Sequence, residues 1–344
     1  MPTGTSAEGA FEGSFRVDAL DPVLADSVRG GLARVETLLR EAVASDIDLI
    51  ASTALHLVEA GGKRFRPLFT LLAAQFGDPA RQEVITAAAA VELVHLATLY
   101  HDDVMDEATI RRGAVSANAR WDNTIAILTG DYLFAHASRL VADLGTDAAR
   151  IIAETFAVLV TGQMRETIGP ADGADEVAHY LSVIGQKTGS LIATAGRYGG
   201  MCSGAEEPHI AALREYGEVI GTAFQISDDI IDIASPAQDS GKTPGTDLRE
   251  GVRTLPMLYA LAGPELSHDA DAARLRALLA KPIQEDELVA EALTLLRESS
   301  GIRQAMDTLI SYADRARGAL VALPDSPARD ALRSLADYVV ARTG

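Results

Sequence analysis

The sequence predicts an all-α protein built as one domain of roughly ten helices. Three observations support this fold class. The chain is rich in Ala, Leu, Ile and Val with Glu and Arg between them, a composition that favours helices. Apolar residues recur at helical spacing along most of the 344 residues. No convincing alternating strand with a hairpin signal accompanies them.

Helical periodicity marks the elements in chain order, and Gly and Pro mark the turns. Predicted helices cover 81–106, 122–144, the neighbourhood of 151–160, 177–195, 208–233 and several segments after 254. Turn signals stand at 61–62, 169–170, 199–200, 235–236, 241–245 and 323–324. Because the first residues are rich in Gly, Ser, Thr and Glu, we expect a flexible tail over 1–20 and a single domain over 21–344.

The composition excludes several classes of protein. The chain has 49 acidic and 30 basic residues, a formal charge of −19, which argues against a general nucleic-acid binder. A single cysteine, Cys202, excludes an intramolecular disulfide framework and is expected to be a buried packing thiol. No apolar run is long enough to span a membrane, and the start does not resemble a signal peptide. We therefore expect a cytoplasmic protein.

Two matching acidic clusters carry the strongest chemical signal. They are DDVMD at 102–106 and DDIID at 228–232, each following a strongly apolar stretch. Residues three and four apart share a helix face, so we expect the carboxylates of each cluster to point to one side. Crowded carboxylates repel each other unless a cation lies among them, and oxygen ligands suit Mg²⁺ bound to phosphates. A solvated acidic face is the alternative, but two copies beside apolar helices favour two walls of one cavity.

Basic residues lie at several places near these clusters. GGKRFRP at 61–67 sets three cations beside a glycine turn, where backbone amides and Lys or Arg suit a phosphate. Arg111 and Arg112 follow the first acidic cluster, and Lys187 and Lys242 supply further cations. Each cation alone is typical of a solvated surface. Together with the acidic clusters they indicate a site for metal-bound phosphates.

In these motifs the chain resembles the trans-prenyl diphosphate synthase family. The resemblance runs from about residue 55 to 258 and is carried by six segments in order: GGKRFRP (61–67), ELVHLATLYHDDVMDEATIRRG (92–113), GQMRE (162–166), QKTGSL (186–191), FQISDDIID (224–232) and SGKTPGTDLREGVRTLP (240–256). It implies a helical bundle around a central cavity, a homodimer, and head-to-tail joining of isopentenyl diphosphate to an allylic diphosphate. Two positions depart from the family pattern, Val252 in place of a frequent Lys and Glu166 in place of a frequent Asp. Arg253 is a candidate replacement for the missing cation.

The resemblance also implies residue roles, which are expectations at this point. About three Mg²⁺ ions would bind the allylic diphosphate. The expected metal-binding residues are Asp102, Asp106, Asp228 and Asp232, with Asp103 and Asp229 supporting metal-bound water. The expected cations on the allylic diphosphate are Arg111, Lys187 and Lys242. The isopentenyl diphosphate site would comprise Lys63, Arg66, His95 and Arg112. Thr188 and Gln225 would place oxygens near the allylic cation, whereas a site role and a packing role stay open for His101.

Product length depends on the space below the first acidic cluster. In the family, a bulky aromatic residue four or five positions before the first Asp closes the product tunnel, but Ala97 and Thr98 stand there in this chain. We therefore expect a tunnel along this helix as far as Ala87, ~22 Å at the helical rise. Phe156 or Leu159 is the expected floor, and the expected product is longer than geranylgeranyl diphosphate.

Three alternatives to a long-chain synthase stay open. The first is a geranylgeranyl or farnesyl diphosphate synthase. The second is a class I terpene cyclase, against which the complete second acidic cluster and the GGKRFRP segment argue. The third is a non-catalytic subunit of a heteromeric synthase. Such a subunit should have lost an Asp or a cation, whereas all six Asp residues of the two clusters are present.

Overall fold

The structure, a computed structural model, describes residues 17–234, 244–262 and 270–343. The prediction of an all-α fold is confirmed. Ten of the helices in these ranges have 12 residues or more, which matches the expected number of core helices. Two clusters of buried apolar side chains hold the helices together, a large one in the main bundle and a smaller one among the helices after residue 244.

The first half of the chain provides the centre of the bundle. Its helices are α1 (Pro22–Ala42), α2 (Asp48–Glu59), α3 (Phe65–Ala73), α4 (Gln82–Met105), α5 (Ala117–Arg120), α6 (Asn123–Ala142) and α7 (Thr146–Ile168). Between α4 and α5 lie two short strands, β1 (Ile110–Arg111) and β2 (Ala114–Val115). Short 3₁₀ turns cover Val17–Ala19 and Ala74–Phe76.

The second half of the chain completes the helical bundle. It comprises α8 (Glu176–Ile184), a π-helical segment (Gly185–Gly189), α9 (Ser190–Ser203), α10 (Glu207–Ala234), α11 (Thr246–Glu250), α12 (Leu255–Ala262), α13 (Ala270–Leu278), α14 (Asp286–Glu298), α15 (Ser300–Ala319) and α16 (Pro327–Ala341). A 3₁₀ turn, Leu320–Ala322, follows α15. The longest of these helices, α10, packs against α9 and α15 and carries the second acidic cluster at its carboxyl end.

Helix α4 is the central element of the bundle. It packs against α1, α3, α6 and α9, so apolar and small side chains are buried on all its sides. Its length and composition alone would allow it to cross a membrane, but 72% of its most apolar window is buried inside the protein. A soluble protein's core helix has the same composition, because it too has no side facing water.

The structure differs from the sequence-based predictions at two places. A two-stranded antiparallel hairpin was not expected, yet β1 and β2 pair around Arg112 and Gly113, which both have positive φ as a type I′ turn requires. The turn predicted at 199–200 is wrong, because Gly199 lies inside α9. A Cβ on Gly199 would lie 2.3 Å from the carbonyl oxygen of Thr70, so this glycine allows α3 to approach closely.

Residues 1–16 of the expected tail lie outside the described residues. Within the expected tail, Val17 and Leu20 pack against the main apolar cluster. The prediction for Cys202 is confirmed, since its thiol is buried and burial raises its pKa to about 11.

Candidate active site

A cavity of about 740 Å³ opens among α3, α4, α7, the π-helical segment, α9 and α10. This volume is in the range of small-molecule binding sites. Its wall brings together eight of the residues that the sequence predicted for the site: Arg66, His95, Thr98, Asp102, Lys187, Thr188, Gln225 and Asp228. Polar and charged groups from four separate segments therefore meet at one cavity.

The first acidic cluster lies where α4 ends. Asp102 is in the last turn of the helix and lines the cavity, and Asp106 is the C-cap. Burial raises the pKa of Asp102 to about 6, although Lys187 opposes the shift; Asp106 raises it further. Burial also raises the pKa of Asp106. Two carboxylates held this way favour a bound cation, because a cation would lower both pKa values.

Asp103 does not share the face of Asp102. Its side chain is fully buried, and Oδ1 accepts a hydrogen bond of 2.5 Å from Nε of Arg111. The same guanidinium lies 3.7 Å from Asp106, so β1 is tied to the end of α4 through Arg111. The expectation that all three carboxylates point to one side is therefore wrong for Asp103, because successive residues of a helix diverge by about 100°. Its Oδ2 atom is buried and has no hydrogen-bond partner among the residues that the structure describes.

An arginine that follows the carboxyl-terminal helix holds the second acidic cluster in place. Asp228 lines the cavity, and one of its oxygens accepts a hydrogen bond of 2.6 Å from Arg342, just after α16. Arg342 also donates to Ser227 Oγ and to the carbonyl of Phe224, and its guanidinium lies 3.9 Å from the centre of the Phe224 ring. These contacts fix both the position and the charge environment of Asp228.

Asp229 and Asp232 face other partners. Asp229 is 2% exposed and accepts hydrogen bonds from the Tyr180 hydroxyl and from Gln225 Nε2. Burial raises its pKa to about 7. The common face expected for the cluster is thus wrong for Asp229. The carboxylate of Asp232 accepts from the backbone N–H groups of Thr246 and Asp247, at the start of α11.

The π-helical segment Gly185–Gly189 brings Lys187 and Thr188 to the cavity wall. Nζ of Lys187 donates to Glu166 at 2.7 Å, so the carboxylate that departs from the family pattern still has a cationic partner. Although burial alone would lower the pKa of Lys187, Glu166 and Asp102 raise it, so its ammonium group stays charged. Thr188 donates to Gln225 Oε1 at 3.4 Å. Wider helical turns of this kind often occur at functional sites.

A second group of cations surrounds Glu92 on α4. Glu92 is 1% exposed, accepts a hydrogen bond of 3.0 Å from Arg64 and lies 3.8 Å from Arg112. Arg66 lines the cavity, and its Nε atom is buried without a partner. Burial lowers the pKa of Arg66 to about 10, with the charge of Arg112 adding to the shift and Glu92 opposing it. The buried cations outnumber this carboxylate, which suits an anion such as a diphosphate.

His95 contributes to this basic cluster as a neutral group. It lines the cavity, and burial together with the neighbouring Arg66 and Arg112 holds its pKa well below the usual range. A neutral imidazole can donate one hydrogen bond without adding charge. His101 also lines the cavity, but its ring packs on Gly130, where a Cβ would lie 2.3 Å from Nε2. Its Nε2 atom lies 3.3 Å from Asp131, so His101 links α4 to α6.

Backbone geometry at the glycine turn sets the direction of these cations. Arg64 adopts φ 45°, in the left-handed region, just before α3. Its guanidinium bonds to Glu36 on α1, Glu92 on α4 and the Val58 carbonyl at the end of α2. Arg64 thus holds three helices together and leaves the cavity to Arg66. Lys63 is exposed beside it.

The predicted product tunnel takes a different course. Thr98 lines the cavity as expected, but Ala97 is buried and does not. Val94, Val91, Ala90 and Ala87 are fully buried, so the expected route down α4 is closed by packing against α6 and α9. The apolar wall instead follows α7, where Phe156, Leu159, Val160, Met164 and Ile168 line the cavity. The route along α4 is therefore wrong beyond Thr98.

The donor set fits Mg²⁺. Within residues 17–234, 244–262 and 270–343, no three His, Cys, Asp or Glu side chains form a ready-made metal cage. Mg²⁺ is usually held by one or two carboxylates, with water and substrate phosphates completing its six positions. Burial raises the pKa of both Asp102 and Asp106, so the protein balances the charge of these two carboxylates incompletely. Such groups suit a cation that arrives with its substrate.

Two further cations, Lys242 and Arg253, were predicted for the site. Lys242 lies outside the described residues. Arg253, the candidate replacement near Val252, lies 3.6 Å from Glu176 at the start of α8, with both side chains about half exposed.

Three residues that hold the site were not found from the sequence. They are Glu92, Tyr180 and Arg342, and each acts on predicted site residues: Glu92 on the basic cluster, Tyr180 on Asp229, and Arg342 on Asp228. Glu92 alone carried a signal, since a carboxylate in an otherwise apolar helix indicates a buried ion pair. The others meet their partners only through the fold.

An all-α bundle with carboxylates and cations at the head of an apolar cavity defines a class of enzymes that act on diphosphate esters of apolar chains. Comparison with known proteins supports the same class of enzyme. The polyprenyl synthetase family model matches residues 47–296, so the chain belongs to this family and is a prenyl-transferring enzyme. The prediction made from the six motif segments is confirmed.

Individual relatives and solved structures resemble the chain over most of its length. The chain is 58% identical over 331 residues to the nonaprenyl diphosphate synthase of Mycobacterium tuberculosis, covering 95% of this chain and 97% of that protein. The structure matches geranylgeranyl pyrophosphate synthase from Corynebacterium glutamicum, complexed with calcium and isoprenyl diphosphate, with a TM-score of 0.84 and 51% identity over 94% and 98% of the two chains. It also matches a decaprenyl diphosphate synthase from Rhodobacter capsulatus, with a TM-score of 0.83 and 38% identity over 96% and 100%.

Proposed function

We propose that this enzyme is a Mg²⁺-dependent trans-polyprenyl diphosphate synthase. It joins isopentenyl diphosphate to an allylic diphosphate, and its products are longer than geranylgeranyl diphosphate. The observation that carries the proposal is the single cavity on which the two acidic clusters, Lys187 and the basic cluster around Arg66 converge. The 58% identity to a nonaprenyl diphosphate synthase supports the long product.

The allylic diphosphate would bind between the ends of α4 and α10. Asp102, Asp106, Asp228 and Asp232 would hold about three Mg²⁺, which supply positive charge to the leaving diphosphate. Asp232 would share this role while its carboxylate accepts from the backbone N–H groups of Thr246 and Asp247. Lys187, Arg111 and Lys242 would bind the same diphosphate directly. Arg111 also keeps Asp103 and Asp106 in place.

Isopentenyl diphosphate would bind at the basic cluster without a metal. Arg66 and Arg112 provide partly buried charge, Lys63 provides exposed charge, and His95 provides a neutral donor. The allylic C–O bond breaks, a C–C bond forms to the isopentenyl double bond, and the proton lost afterwards goes to the released diphosphate. Thr188 and Gln225 present oxygens to the developing cation, whose charge such dipoles stabilise.

The growing chain would extend along α7. Leu159, Val160 and Met164 form an apolar wall, and the aromatic pair of Phe134 and Phe156, with ring centres 4.1 Å apart, lies beside it. Thr98 is small enough to let the chain pass at the cavity entrance. We propose Phe156 as the floor that limits product length.

The test is an incubation of the full chain with Mg²⁺, labelled isopentenyl diphosphate and allylic starters from dimethylallyl to geranylgeranyl diphosphate. Chromatographic sizing of the dephosphorylated products is expected to show chains longer than geranylgeraniol, and chelation of the metal is expected to abolish them. Products that stop at geranylgeraniol would contradict the proposed length but keep the enzyme class. No product from any starter would contradict the proposed function.

We also propose that the enzyme is a homodimer of single-domain subunits over residues 21–344, with a tail before them, in the cytoplasm. Ile127 and Leu128 expose 43% and 57% of their surface on α6, and Val158 exposes 41% on the adjoining α7, outside the cavity. Adjacent exposed apolar residues on two neighbouring helices are typical of an interface. A second copy of the chain covers this face in the proposal.

Replacing Leu128 with Asp is expected to convert the dimer to a monomer, because the charge would be buried at the interface of both copies. Light scattering after gel filtration measures the mass directly. The matched control is Val321→Asp, since Val321 is 80% exposed on the turn after α15 and lies outside the proposed interface. A dimer that survives Leu128→Asp would contradict this interface, and a monomeric wild type would contradict the dimer.

A further inference from the structure

A chain of hydrogen bonds runs from the bundle interior to the cavity wall. The Tyr180 hydroxyl on α8 donates to Oδ2 of Asp229, and Gln225 Nε2 donates to Oδ1 of Asp229 at 3.3 Å. Thr188 donates to Oε1 of the same Gln225 at 3.4 Å. Gln225 and Thr188 line the cavity, whereas Asp229 and Tyr180 do not. Asp229 therefore reaches the cavity only through Gln225.

The carboxylate of Asp229 determines which way the Gln225 amide can point. Carboxylate oxygens accept hydrogen bonds, whereas an amide has a donating NH₂ at one side and an accepting oxygen at the other. In the structure the NH₂ group of Gln225 faces Oδ1 of Asp229, and its oxygen faces the Thr188 hydroxyl at the cavity wall. The Tyr180 hydroxyl and a backbone N–H from Leu255 also donate to Asp229, so the carboxylate is surrounded by donors.

The opposite orientation of the Gln225 amide would be unfavourable for two reasons. It would turn the Gln225 oxygen toward the Asp229 carboxylate, where two acceptors would meet with no hydrogen between them. It would also turn the NH₂ group, the positive end of the amide dipole, toward the cavity. A fixed dipole helps catalysis only when its sign opposes the charge that develops in the transition state.

We propose that Asp229 is a positioning residue that keeps the carbonyl oxygen of Gln225 directed at the allylic cation, with Tyr180 holding Asp229 in place. This inference rests on the proposed function and gives Asp229 a different task from Asp228, its neighbour in sequence. Asp228 faces the cavity and belongs to the diphosphate and metal site. Asp229 faces away from it and acts through an amide.

The test compares Asp229→Asn, alone and together with Gln225→Met. An Asn can donate to the Gln225 oxygen and so lets the amide reverse. We expect kcat to fall about 10- to 100-fold, while the KM values and the Mg²⁺ concentration for half-maximal rate change less than about twofold. In a Gln225→Met background, which has no amide to orient, the same substitution is expected to change kcat less than about twofold.

Tyr180→Phe gives a milder second variant in case Asp229→Asn does not fold, as checked by its thermal unfolding. It removes one donor, and a fall in kcat of about 3- to 10-fold is expected, again only when Gln225 is present. Equal effects with and without Gln225, or a Mg²⁺ requirement raised more than about fivefold, would overturn the inference. An unchanged kcat in Gln225→Met would overturn it too. Failure of the proposed function is distinguishable, because the wild type would then form no product.

Discussion

Replacing Asp102 with Ala is expected to lower kcat by about 10³-fold or more, and Asp228→Ala to do the same. Each substitution removes a carboxylate at the cavity wall, so the positive charge needed by the leaving diphosphate can no longer be held in place. A continuous assay of diphosphate release over a range of Mg²⁺ concentrations measures the loss. Excess Mg²⁺ is not expected to restore the rate.

The matched control is Asp147→Ala on α7, because the Asp147 side chain is 79% exposed and pairs with its helical neighbour Arg150. Its rate is expected to stay within about twofold of the wild type, since exposed pairs of this kind contribute little. An Asp102→Ala or Asp228→Ala variant with full activity would show that the metal assignment is wrong.

Replacing Phe156 with Ala is expected to lengthen the main product by about one or two isoprene units, since the removed ring is close in size to one such unit. Phe156 lines the cavity and stacks on Phe134, so its removal opens space between α6 and α7. The cost to the free energy of unfolding is expected to be about 1–3 kcal/mol, below that of a fully buried Phe. Chromatographic sizing of products and thermal unfolding measure the two effects.

Phe76→Ala is the control for loss of a ring. Phe76 contacts His209, with ring centres 6.4 Å apart, and does not line the cavity. Its product pattern is expected to match the wild type. If Phe156→Ala stays active with an unchanged product pattern, another part of the wall limits the chain.

The sequence predicted what local periodicity and motif spacing determine. The long helices follow from apolar spacing, and the ends of α4 and α10 follow from the acidic clusters that come after their apolar stretches. The hairpin β1–β2 was missed because two-residue strands have no measurable alternation. Its turn requires positive φ at Arg112, and an arginine there gives no sequence signal.

Side-chain direction was predicted less well than position. Asp103 and Asp229 belong to the motifs, yet each turns away from its neighbour, because adjacent residues on a helix face different sides. The same geometry explains Ala97 and Thr98, of which only Thr98 reaches the cavity. Arg342 lies 114 positions from Asp228, and contacts at that separation depend on how α10 and α16 pack.

The π-helical segment constrains the number of residues around Lys187 as strongly as it constrains their identity. From Glu176 to Ser203 the chain forms one rod, and the wider turn at Gly185–Gly189 is its only irregularity in the described residues. Loss of a single residue there would rotate everything after it by about 100° relative to α8. Leu191 and Ile192, which line the cavity, would turn away from it. Insertions and deletions in this stretch should therefore be rarer among functional relatives than substitutions of its side chains.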